Sequence, residues 1–497
     1  MKAVYTQAIR YHVKAWCETP LRTGGGDTET VLRYENGRAF VQASSLAGAM
    51  REWVVKSEAQ LVTEKRNRSI ADVLFGSQKQ GGSLILSDGV FGPGADMQIR
   101  PHVKIDGKTG AAENQKKFDI AHIQRGAAFC FTLTWLGSLE EPEAADSVSV
   151  VERALAAMNS GEIRLGAQKS NGFGKLSLVE REGPHAGSPS VVKKVFNLLD
   201  EQDRTAWLEL ADTPDMPLEY SETEGMFQFP ELTKSASPVV VFTVQGRAES
   251  ILVKSSYVEQ REKADAQGNP IKTNVTPNLL EPDLEGKTFP ILPGSSAKGA
   301  LRSRVYAIAK LLNVDKAQET VDALFGRGPE DAKETGSRNR KAGEDNGIPG
   351  KVRSEDVLLP CEKGNRKEIA RVRMDRFTGG IIRQGLFWEE PVSGEITLEY
   401  TVPADQPLGC ALVLYALRDL GLKLWNLGSG ASIGRGFLHV CEIEARTPEG
   451  KHLSLRDFYQ KGGESDLLSG TWTLEDRDGL WQEWNSALEE WRGTHEN

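Results

Sequence analysis

The segment SSLAGAMR at residues 44–51 recurs as SSAKGALR at residues 295–302. The tripeptide LFG follows each copy, at residues 74–76 and again at residues 324–326. In both copies the paired serines stand where a helix N-cap is wanted, and apolar residues then follow at helical spacing. The two segments therefore predict the same helical element twice in one chain.

Two further blocks repeat in the same order. VKIDGKTG at residues 103–110 recurs as VRMDRFTG at residues 372–379. A glycine-rich loop closes each series, as RLGAQKSNGFGK at residues 164–175 and as NLGSGASIGRG at residues 426–436. Four collinear blocks with unequal spacing are typical of a duplicated domain with loop insertions. The sequence therefore predicts two tandem units of one fold.

Each unit has the pattern of an α+β domain. An alternating segment typical of a strand opens it, at residues 5–16 and 239–248. The serine helix, strand-like runs, a second helix and a last strand follow in both units. This order predicts a ferredoxin-like α+β fold for each unit, with the Asp-x-x-Thr-Gly block in an exposed turn or hairpin.

The remaining segments divide the chain. The predicted domains cover residues 1–184 and 237–447, and residues 185–236 form an acidic linker with a short helix around residues 195–208. The tail, residues 448–497, carries tryptophans at helical spacing, which favours docking on its own domain over docking on a neighbouring subunit. These tryptophans are Trp472, Trp481, Trp484 and Trp491.

Composition excludes several classes of protein. With 39% hydrophobic and 26% charged residues among 497, the chain is globular and not disordered. The net charge of −9 excludes a histone-like polyanion binder, so any nucleic acid must be held by local basic patches. Residues 100–117 form such a patch, with five basic and two acidic side chains. The absence of a membrane-span pattern and of a signal-peptide pattern predicts a cytoplasmic protein. The seven histidines form no HxxxH or HExxH pair, so zinc-hydrolase chemistry lacks support.

The repeated blocks contain the candidate binding residues. Hydroxyls and free N–H groups at a helix start, beside basic side chains, are typical of an anion site, although simple capping is the alternative. Glycines let a backbone lie against phosphate or sugar, and the alternative for these loops is a tight helix-to-strand connection. Together they favour contact with RNA. The predicted RNA-binding residues are Ser44, Ser45, Arg51, Lys104, Lys108, Gly166, Lys169, Gly172, Gly174, Ser295, Ser296, Lys298, Arg302, Arg373, Gly428, Gly434, Arg435 and Gly436.

The ordered motifs also resemble a known family. A GGG loop at residues 24–26, the SSLxG helix, the FG break, the IDxxTG block followed by KKFD, and the LGxxxxxGxG loop are similar to the RAMP superfamily of CRISPR effector proteins. Within it the chain resembles the backbone subunits of type III complexes, and two units in one chain resemble the tandem fusion of type III-D systems. The resemblance implies an RRM-like fold in each unit. Its implied partners are guide RNA, complementary target RNA and other CRISPR effector subunits, with no membrane partner.

The resemblance further implies a reaction. A thumb hairpin, matching residues 97–119 and 367–386, wedges into the guide–target duplex and flips out a nucleotide, and the target is cut beside it. That cleavage needs an aspartate and a divalent cation, with Mg²⁺ the expected ion. No metal ligand is assigned.

Several aspartates are candidates for that role. Asp27 lies nearest the family's usual catalytic position in the first unit, whereas the matching stretch of the second unit, residues 274–277, has no aspartate. Asp265 and Asp283 are loose substitutes there. Asp106 lies in the first thumb and Asp375 at the matching position of the second. A carboxylate there can bind a metal or orient a ribose 2′-OH. The alternative for each is an aspartate that caps the hairpin turn. The catalytic candidates are therefore Asp27, Asp106 and Asp375. The competing hypotheses are a non-catalytic RNA-binding scaffold and a ribonuclease that processes guide RNA.

Overall fold

The computed structural model describes most of the chain. It covers residues 5–24, 31–34, 36–61, 69–105, 112–138, 142–182, 185–210, 227–232, 235–264, 269–328, 347–360, 362, 364–456 and 472–493.

The first half of the molecule, up to residue 236, is a mixed α+β unit. Its elements are β1 (Gln7–Cys17), β2 (Phe40–Val41), α1 (Ala43–Leu61), α2 (Ile70–Phe75), β3 (Leu84–Leu86), β4 (Gly89–Phe91), β5 (Met97–Ile105), β6 (Ala112–Ile123), β7 (Ala128–Gly137), α3 (Pro142–Ser160), β8 (Leu176–Ser177), β9 (Val191–Asn197) and α4 (Glu201–Leu208).

The second half repeats this order with additions. Its elements are β10 (Val239–Ile251), β11 (Glu259–Ala264), β12 (Pro270–Thr276), β13 (Leu280–Pro282), β14 (Thr288–Leu292), α5 (Gly294–Leu312), α6 (Ala317–Phe325), β15 (Arg353–Ser354), β16 (Val357–Leu358), β17 (Ile369–Met374), β18 (Ile381–Glu389), β19 (Val392–Pro403), α7 (Pro407–Gly421), β20 (Leu438–Arg446), β21 (His452–Arg456), β22 (Thr473–Asp476) and α8 (Leu480–Gly493).

The central sheets of the two halves have matching strand orders. The first runs β2-β4-β7-β1-β8, with β3 also pairing β7 and β9 also pairing β1, and the second runs β15-β19-β10-β20-β21-β22. In the first sheet β1 lies antiparallel between β7, which precedes α3, and β8, which follows it. In the second sheet β10 lies antiparallel between β19, which precedes α7, and β20, which follows it. Tyr11↔Leu133 and Phe242↔Tyr400 are facing pairs in these sheets. The repeated sequence blocks therefore correspond to repeated structure, and the prediction of α+β units in tandem is confirmed.

Helix and strand periodicity explain the two cores. On α1 the buried side chains include Leu46, Met50 and Val54, and on α5 they include Leu301 and Val305, all at helical spacing. These faces pack against the alternate, inward-facing residues of the opening strands. None of the described helices combines the length and apolar character that crossing a bilayer requires.

Two local predictions need correction. The paired serines are not N-caps, because α1 begins at Ala43 and α5 begins at Gly294, which places all four serines inside the first helical turn. The segment predicted as a helix around residues 195–208 continues β9 as far as Asn197, and only Glu201–Leu208 is helical. Within the predicted linker, β9 pairs with β1 and Phe227 packs in the first core.

The C-terminal helix packs on its own half, as its tryptophan spacing favoured. In α8 Leu480, Trp484 and Leu488 are buried. The ring of Trp484 lies 5.7 Å from that of Phe242, and the ring of Trp481 lies 5.3 Å from that of Tyr415. The tail therefore completes the second core.

Candidate nucleic-acid interface

The two glycine loops share one internal geometry. Leu165 donates its N–H to Gly174 at 3.0 Å, and Leu427 donates to Gly436 at 2.9 Å. Gly174 and Gly436 both have positive φ, and a Cβ on either would overlap the carbonyl oxygen of the same leucine. Side chains are therefore excluded at these positions by the fold of the loop itself, so the tight connection accounts for these glycines without RNA.

The first glycine of each loop is also required by close packing. A Cβ at Gly166 would overlap the carbonyl oxygen of Arg22, and one at Gly428 would lie 2.7 Å from that of Leu252. Both glycines have positive φ. In both halves the loop is therefore anchored to the segment that follows the opening strand.

The outer edges of the loops differ. A Cβ at Gly172 would lie 3.0 Å from the backbone nitrogen of Asp356 and 3.0 Å from the carbonyl oxygen of Ser354, whereas one at Gly434 would meet nothing within 4 Å. The first loop thus packs on the second half. We call this contact the seam: the base of the β5–β6 hairpin and residues 164–175 on one side, and Glu281, Gly294 and residues 353–356 on the other.

An arginine from the first hairpin holds the seam together. Arg100 on β5 is 1% exposed and donates to both Glu281 oxygens, at 2.7 and 2.6 Å, and to both Asp356 oxygens, at 3.0 and 2.8 Å. Arg125 adds a contact to Asp356 at 3.1 Å, and Phe173 of the glycine loop lies 4.8 Å from the Arg100 guanidinium. Arg100 was expected in an exposed basic patch, but its charge is neutralised inside the seam.

Asp356 also explains how α5 begins. Its Oδ1 accepts the Gly294 N–H at 2.7 Å, and in the first half Asp88 accepts the Ala43 N–H at 2.7 Å in the same way. Burial alone would raise the pKa of Asp356, but Arg100, Arg125 and the Gly294 N–H hold it below its usual value. Sequence reasoning missed both aspartates. The sequence signal for them is an aspartate two residues after a short strand, which is β3 in the first unit and β15 in the second.

Three cations in or beside the seam form no ion pair with a described carboxylate, although Glu52 lies near Lys169, and Glu355 and Glu399 lie near Arg353. Lys298 on α5 is 7% exposed, and no carboxylate among the described residues pairs with its ammonium. Burial, together with Arg302 and Arg353, lowers its pKa to about 8. Burial and the neighbouring Arg164 lower the pKa of Arg353 to about 10.

Lys169 joins this group from the first half. Burial lowers its pKa, and the positive charges of Lys56 and Arg353 act in the same direction. The charge of Glu52 acts in the opposite direction, but this carboxylate accepts a hydrogen bond from Lys56 at 2.6 Å. We call Lys169, Lys298 and Arg353 the seam cations. Arg353 was missed by sequence reasoning because it lies outside every repeated motif.

The predicted arginines of the serine helices have structural partners. Arg51 donates to the Gly76 carbonyl at 3.0 Å and to Asp72 at 2.7 Å. Arg302 donates to the Gly326 carbonyl at 2.8 Å and to Asp322 at 2.7 Å. Each arginine therefore joins its helix to the LFG turn, which explains why SSxxGAxR and LFG repeat together. Among the serines, Ser44, Ser45 and Ser296 are exposed and Ser295 is half-buried.

Hairpins occupy the two predicted thumb positions. The first, β5–β6, spans residues 97–123, and the second, β17–β18, spans residues 369–389. The second exposes an apolar surface, with Met374 60%, Phe377 98% and Ile381 66% exposed. Arg373 lies beside it, 5.2 Å from the ring of Phe387.

At the base of the second hairpin Arg435 has a buried partner. It donates to Glu389 at 2.5 Å, and Lys254 and Arg371 reach the same carboxylate at 2.8 and 3.3 Å. Burial would raise the pKa of Glu389, but Lys254 and Arg435 lower it. Arg435 is 5% exposed, so it anchors the hairpin and does not present its charge at the surface.

Asp375, the one catalytic candidate within the described residues, caps its own turn. Its Oδ1 accepts the N–H groups of Phe377 and Thr378, at 3.0 and 2.8 Å, and the Thr378 hydroxyl at 3.0 Å. These bonds lower its pKa. The capping alternative therefore describes its present contacts, and any further role stays a prediction.

Other candidates lie outside the described residues. These are Asp27, Asp106, Lys108 and Asp265. Lys104 belongs to β5 by its backbone, and Asp283 accepts N–H groups within its own exposed turn. In the part of the chain that the structure describes, no three His, Cys, Asp or Glu side chains form a metal-binding group. The divalent cation therefore stays a prediction, and Asp27, Asp106 and Asp265 lie outside the residues to which this finding applies.

Comparison with known proteins identifies one family. The model of the RAMP superfamily matches residues 15–177 and 270–439, together more than half of the chain and one match in each half. No curated protein matches the chain.

Proposed function

Because the chain belongs to the RAMP superfamily, whose members are linked to CRISPR complexes and RNA binding, we propose that it is a backbone subunit of a type III CRISPR ribonucleoprotein. In this proposal guide RNA lies along the seam between the halves. The matching strand orders of the two central sheets support a ferredoxin-like, RRM-like unit in each half. The tandem arrangement supports a III-D-like subunit.

The observation that carries the proposal is the buried side chain of Lys298. A lysine 93% removed from solvent, beside Arg353 and without a carboxylate among the described residues, lacks a counter-ion. A phosphate supplies the missing negative charge, and the hydroxyls of Ser295 and Ser296 in the first turn of α5 add donors nearby. Lys169 brings a cation from the other half, so one RNA strand can contact both halves.

The hairpins fit the thumb role that the family implies. Phe377 is almost fully exposed at the tip of the second, and exposed apolar residues such as Ile99 and Val103 line the first. An apolar side chain held away from the core is suited to entering between bases, because every base has an apolar face. Base pairing between guide and target then supplies sequence specificity.

Cleavage of the target beside the hairpins is the second part of the proposal. At the second hairpin Asp375 uses one oxygen for its turn, which favours a structural role there. Cleavage therefore depends on Asp27 or Asp106 in the first half, with a divalent cation as the predicted cofactor. If Asp27→Ala, Asp106→Ala and Asp375→Ala each leave every cleavage product of the complex intact, the assignment of these aspartates to catalysis is wrong. Cleavage of precursor guide RNA by the isolated chain would favour the processing ribonuclease.

Guide binding is tested by substituting Lys298. We expect Lys298→Met to weaken binding of labelled guide RNA about tenfold and to reduce the slope of log affinity against log salt by about one, as for one lost phosphate contact. Lys310→Met is the matched control, since Lys310 lies on the exposed face at the other end of the same helix. Equal affinity and equal salt slope for both variants would show that Lys298 does not contact RNA.

A further inference from the structure

A cavity of about 630 Å³ lies at the turn that follows α2, within the roughly 300–1,000 Å³ of small-ligand sites. Arg51 on α1, Phe75 at the end of α2 and the turn residues 76–78 and 80–82 border it. We call this space the turn cavity. None of the seam cations borders it, so the contacts proposed above for guide RNA leave it unused.

The second half has the same turn after α6. Gly76 and Gly326 both have positive φ, and a Cβ on either would crowd the nitrogen of a later glycine, that of Gly82 at 2.8 Å and that of Gly350 at 2.6 Å. Each turn is also closed by an isolated β-bridge. The two bridges are Ser77↔Gln80 and Arg327↔Ile348. Positions 76–77 and 80–82 therefore correspond to positions 326–327 and 348–350.

Larger side chains stand at the corresponding positions of the second half. The small or polar residues of the first half are Ala47, Ser77, Gln80 and Gly81, and their counterparts are Lys298, Arg327, Ile348 and Pro349. The Lys298 ammonium lies 2.6 Å from the place of a Cβ on Gly350, so this side chain reaches the second turn. Ala47 has no atom beyond Cβ and does not reach the first. The first turn therefore keeps space that side chains take up in the second.

Neither packing nor backbone conformation requires glycine at position 81. A Cβ on Gly81 would meet no atom within 4 Å, and Gly81 does not share the positive φ of Gly76. Glycine loses more conformational freedom on folding than any other residue, so a side chain without strain here would stabilise the protein. A function that needs the turn cavity open accounts for the glycine.

We propose that the turn cavity binds an unpaired base of RNA, an inference that rests on the proposed RNA-binding function. Proteins that read single-stranded RNA stack its bases on flat side chains and hydrogen-bond the base edges. Phe75 and the Arg51 guanidinium border the cavity, and both are flat groups of this kind. The exposed amide of Gln78 has donors and an acceptor for a base edge.

The charges at the turn cavity favour a base over a phosphate. Among the residues that border it only Arg51 is basic, and its guanidinium donates to Asp72 at 2.7 Å and to the Gly76 carbonyl at 3.0 Å. A phosphate would therefore lie near a carboxylate as well as near the arginine. In the second half Lys298 supplies a cation at the turn, but its counterpart Ala47 is neutral. The two halves thus contact RNA in different ways, the second through phosphate and the first through a base.

Filling the cavity tests the proposal in the purified full chain. RNA that carries 4-thiouridine is crosslinked to the protein, and the attached peptides are identified by mass spectrometry. We expect crosslinks within residues 75–82, reduced at least tenfold in Gly81→Leu. Gly48→Leu is the control, because a Cβ on this exposed glycine of α1 also meets nothing within 4 Å, and it should leave these crosslinks unchanged. Equal crosslinking in the two variants, or crosslinks only at other segments of the wild type, would overturn the proposal.

RNA without bases separates the cavity from backbone contacts. We expect the wild type to bind an oligonucleotide about tenfold more tightly than an abasic strand of the same length, and Gln78→Ala to reduce that ratio about threefold with unchanged affinity for the abasic strand. Lys79→Ala, beside the cavity but outside its border, should leave the ratio unchanged. An unchanged ratio in both Gln78→Ala and Gly81→Leu would contradict the base site. Failure of the wild type to bind either strand would contradict the proposed function itself.

Discussion

The bases of the two hairpins are built with opposite charges. In the first, a buried arginine, Arg100, lies between two carboxylates of the other half. In the second, a buried glutamate, Glu389, lies among Lys254, Arg371 and Arg435 of its own half. Duplicated elements thus keep the backbone that folds the unit and differ in the side chains that join units.

The residue before the last loop glycine shows the same division. Phe173 packs against Arg100 and lies 5.3 Å from the ring of His122, whereas Arg435 at the equivalent position binds Glu389. The first hairpin is therefore held by Phe173 of its own half and by Glu281 and Asp356 of the other half. The base of the second hairpin is held by side chains of its own half.

The largest test of this difference compares two aspartates that cap equivalent helices. We expect Asp356→Ala to lower the free energy of unfolding by about 3–5 kcal/mol, because it leaves Arg100 and Arg125 without a shared buried carboxylate. Asp88→Ala removes a cap and a hydrogen bond from Tyr34, for a loss of about 1 kcal/mol. Urea unfolding followed by circular dichroism measures both. Equal losses would mean that the seam network adds nothing to the cap.

A second test uses pH at the first hairpin. Burial lowers the pKa of His122 to about 4, from an unfolded value near 6.5. Between these values the unfolded chain binds a proton that the folded chain does not, so stability falls as pH decreases from about 6.5 to about 4.

We expect His122→Gln to reduce the stability lost between pH 7 and pH 5 by about 2 kcal/mol. Glu389→Gln in the second hairpin is the comparison, since a glutamate with a lowered pKa stays ionised over that interval. Unfolding free energies at both pH values decide the matter. An unchanged loss in His122→Gln would show that this histidine takes up its proton in the folded protein.

Sequence alone predicted the repeated parts of the fold. Strand alternation and helical spacing located β1, α1, β10 and α5, because these patterns report which face of an element is buried. The short helix before residue 208 was placed too early, since β9 is a strand through its pairing with β1, which lies far away in the sequence. Local patterns cannot report such pairings.

The candidate site was less predictable for a related reason. Lys298 and Lys169 were found because they lie within repeated motifs, whereas Arg353 and Asp356 lie outside them. Arg100 belonged to a basic patch by composition, yet it is buried by acids more than 150 residues later in the chain. The function of a charge depends on its partner, and the partner comes from the other half.

A third test asks whether the charge of Lys298 destabilises the folded protein when no RNA is bound. We expect Lys298→Met to stabilise the RNA-free protein by about 1 kcal/mol, since it removes a buried ammonium and keeps a similar volume. The equivalent position of the first half is Ala47, which has no charge to bury. Thermal unfolding without RNA is the measurement, and Lys310→Met should change stability by less than about 0.5 kcal/mol. Destabilisation by Lys298→Met would indicate an internal partner for the ammonium.

The smallest expected effect on stability comes from comparing one exposed aromatic side chain in each hairpin. Phe118 of the first hairpin stacks on His102 with ring centroids 5.4 Å apart, whereas Phe377 of the second is 98% exposed. We therefore expect Phe118→Ala to cost about 1 kcal/mol of unfolding free energy and Phe377→Ala to change it by less than about 0.5 kcal/mol.

If Phe377 enters the guide–target duplex, its removal acts on RNA and leaves the fold intact. In Phe377→Ala we expect fluorescence of a 2-aminopurine placed in the target strand to lose the increase that an unstacked base gives, at unchanged guide affinity. A persistent fluorescence increase would assign the unstacking to other residues of the hairpin. Loss of stability in this variant would instead show that Phe377 packs on protein, which its exposure argues against.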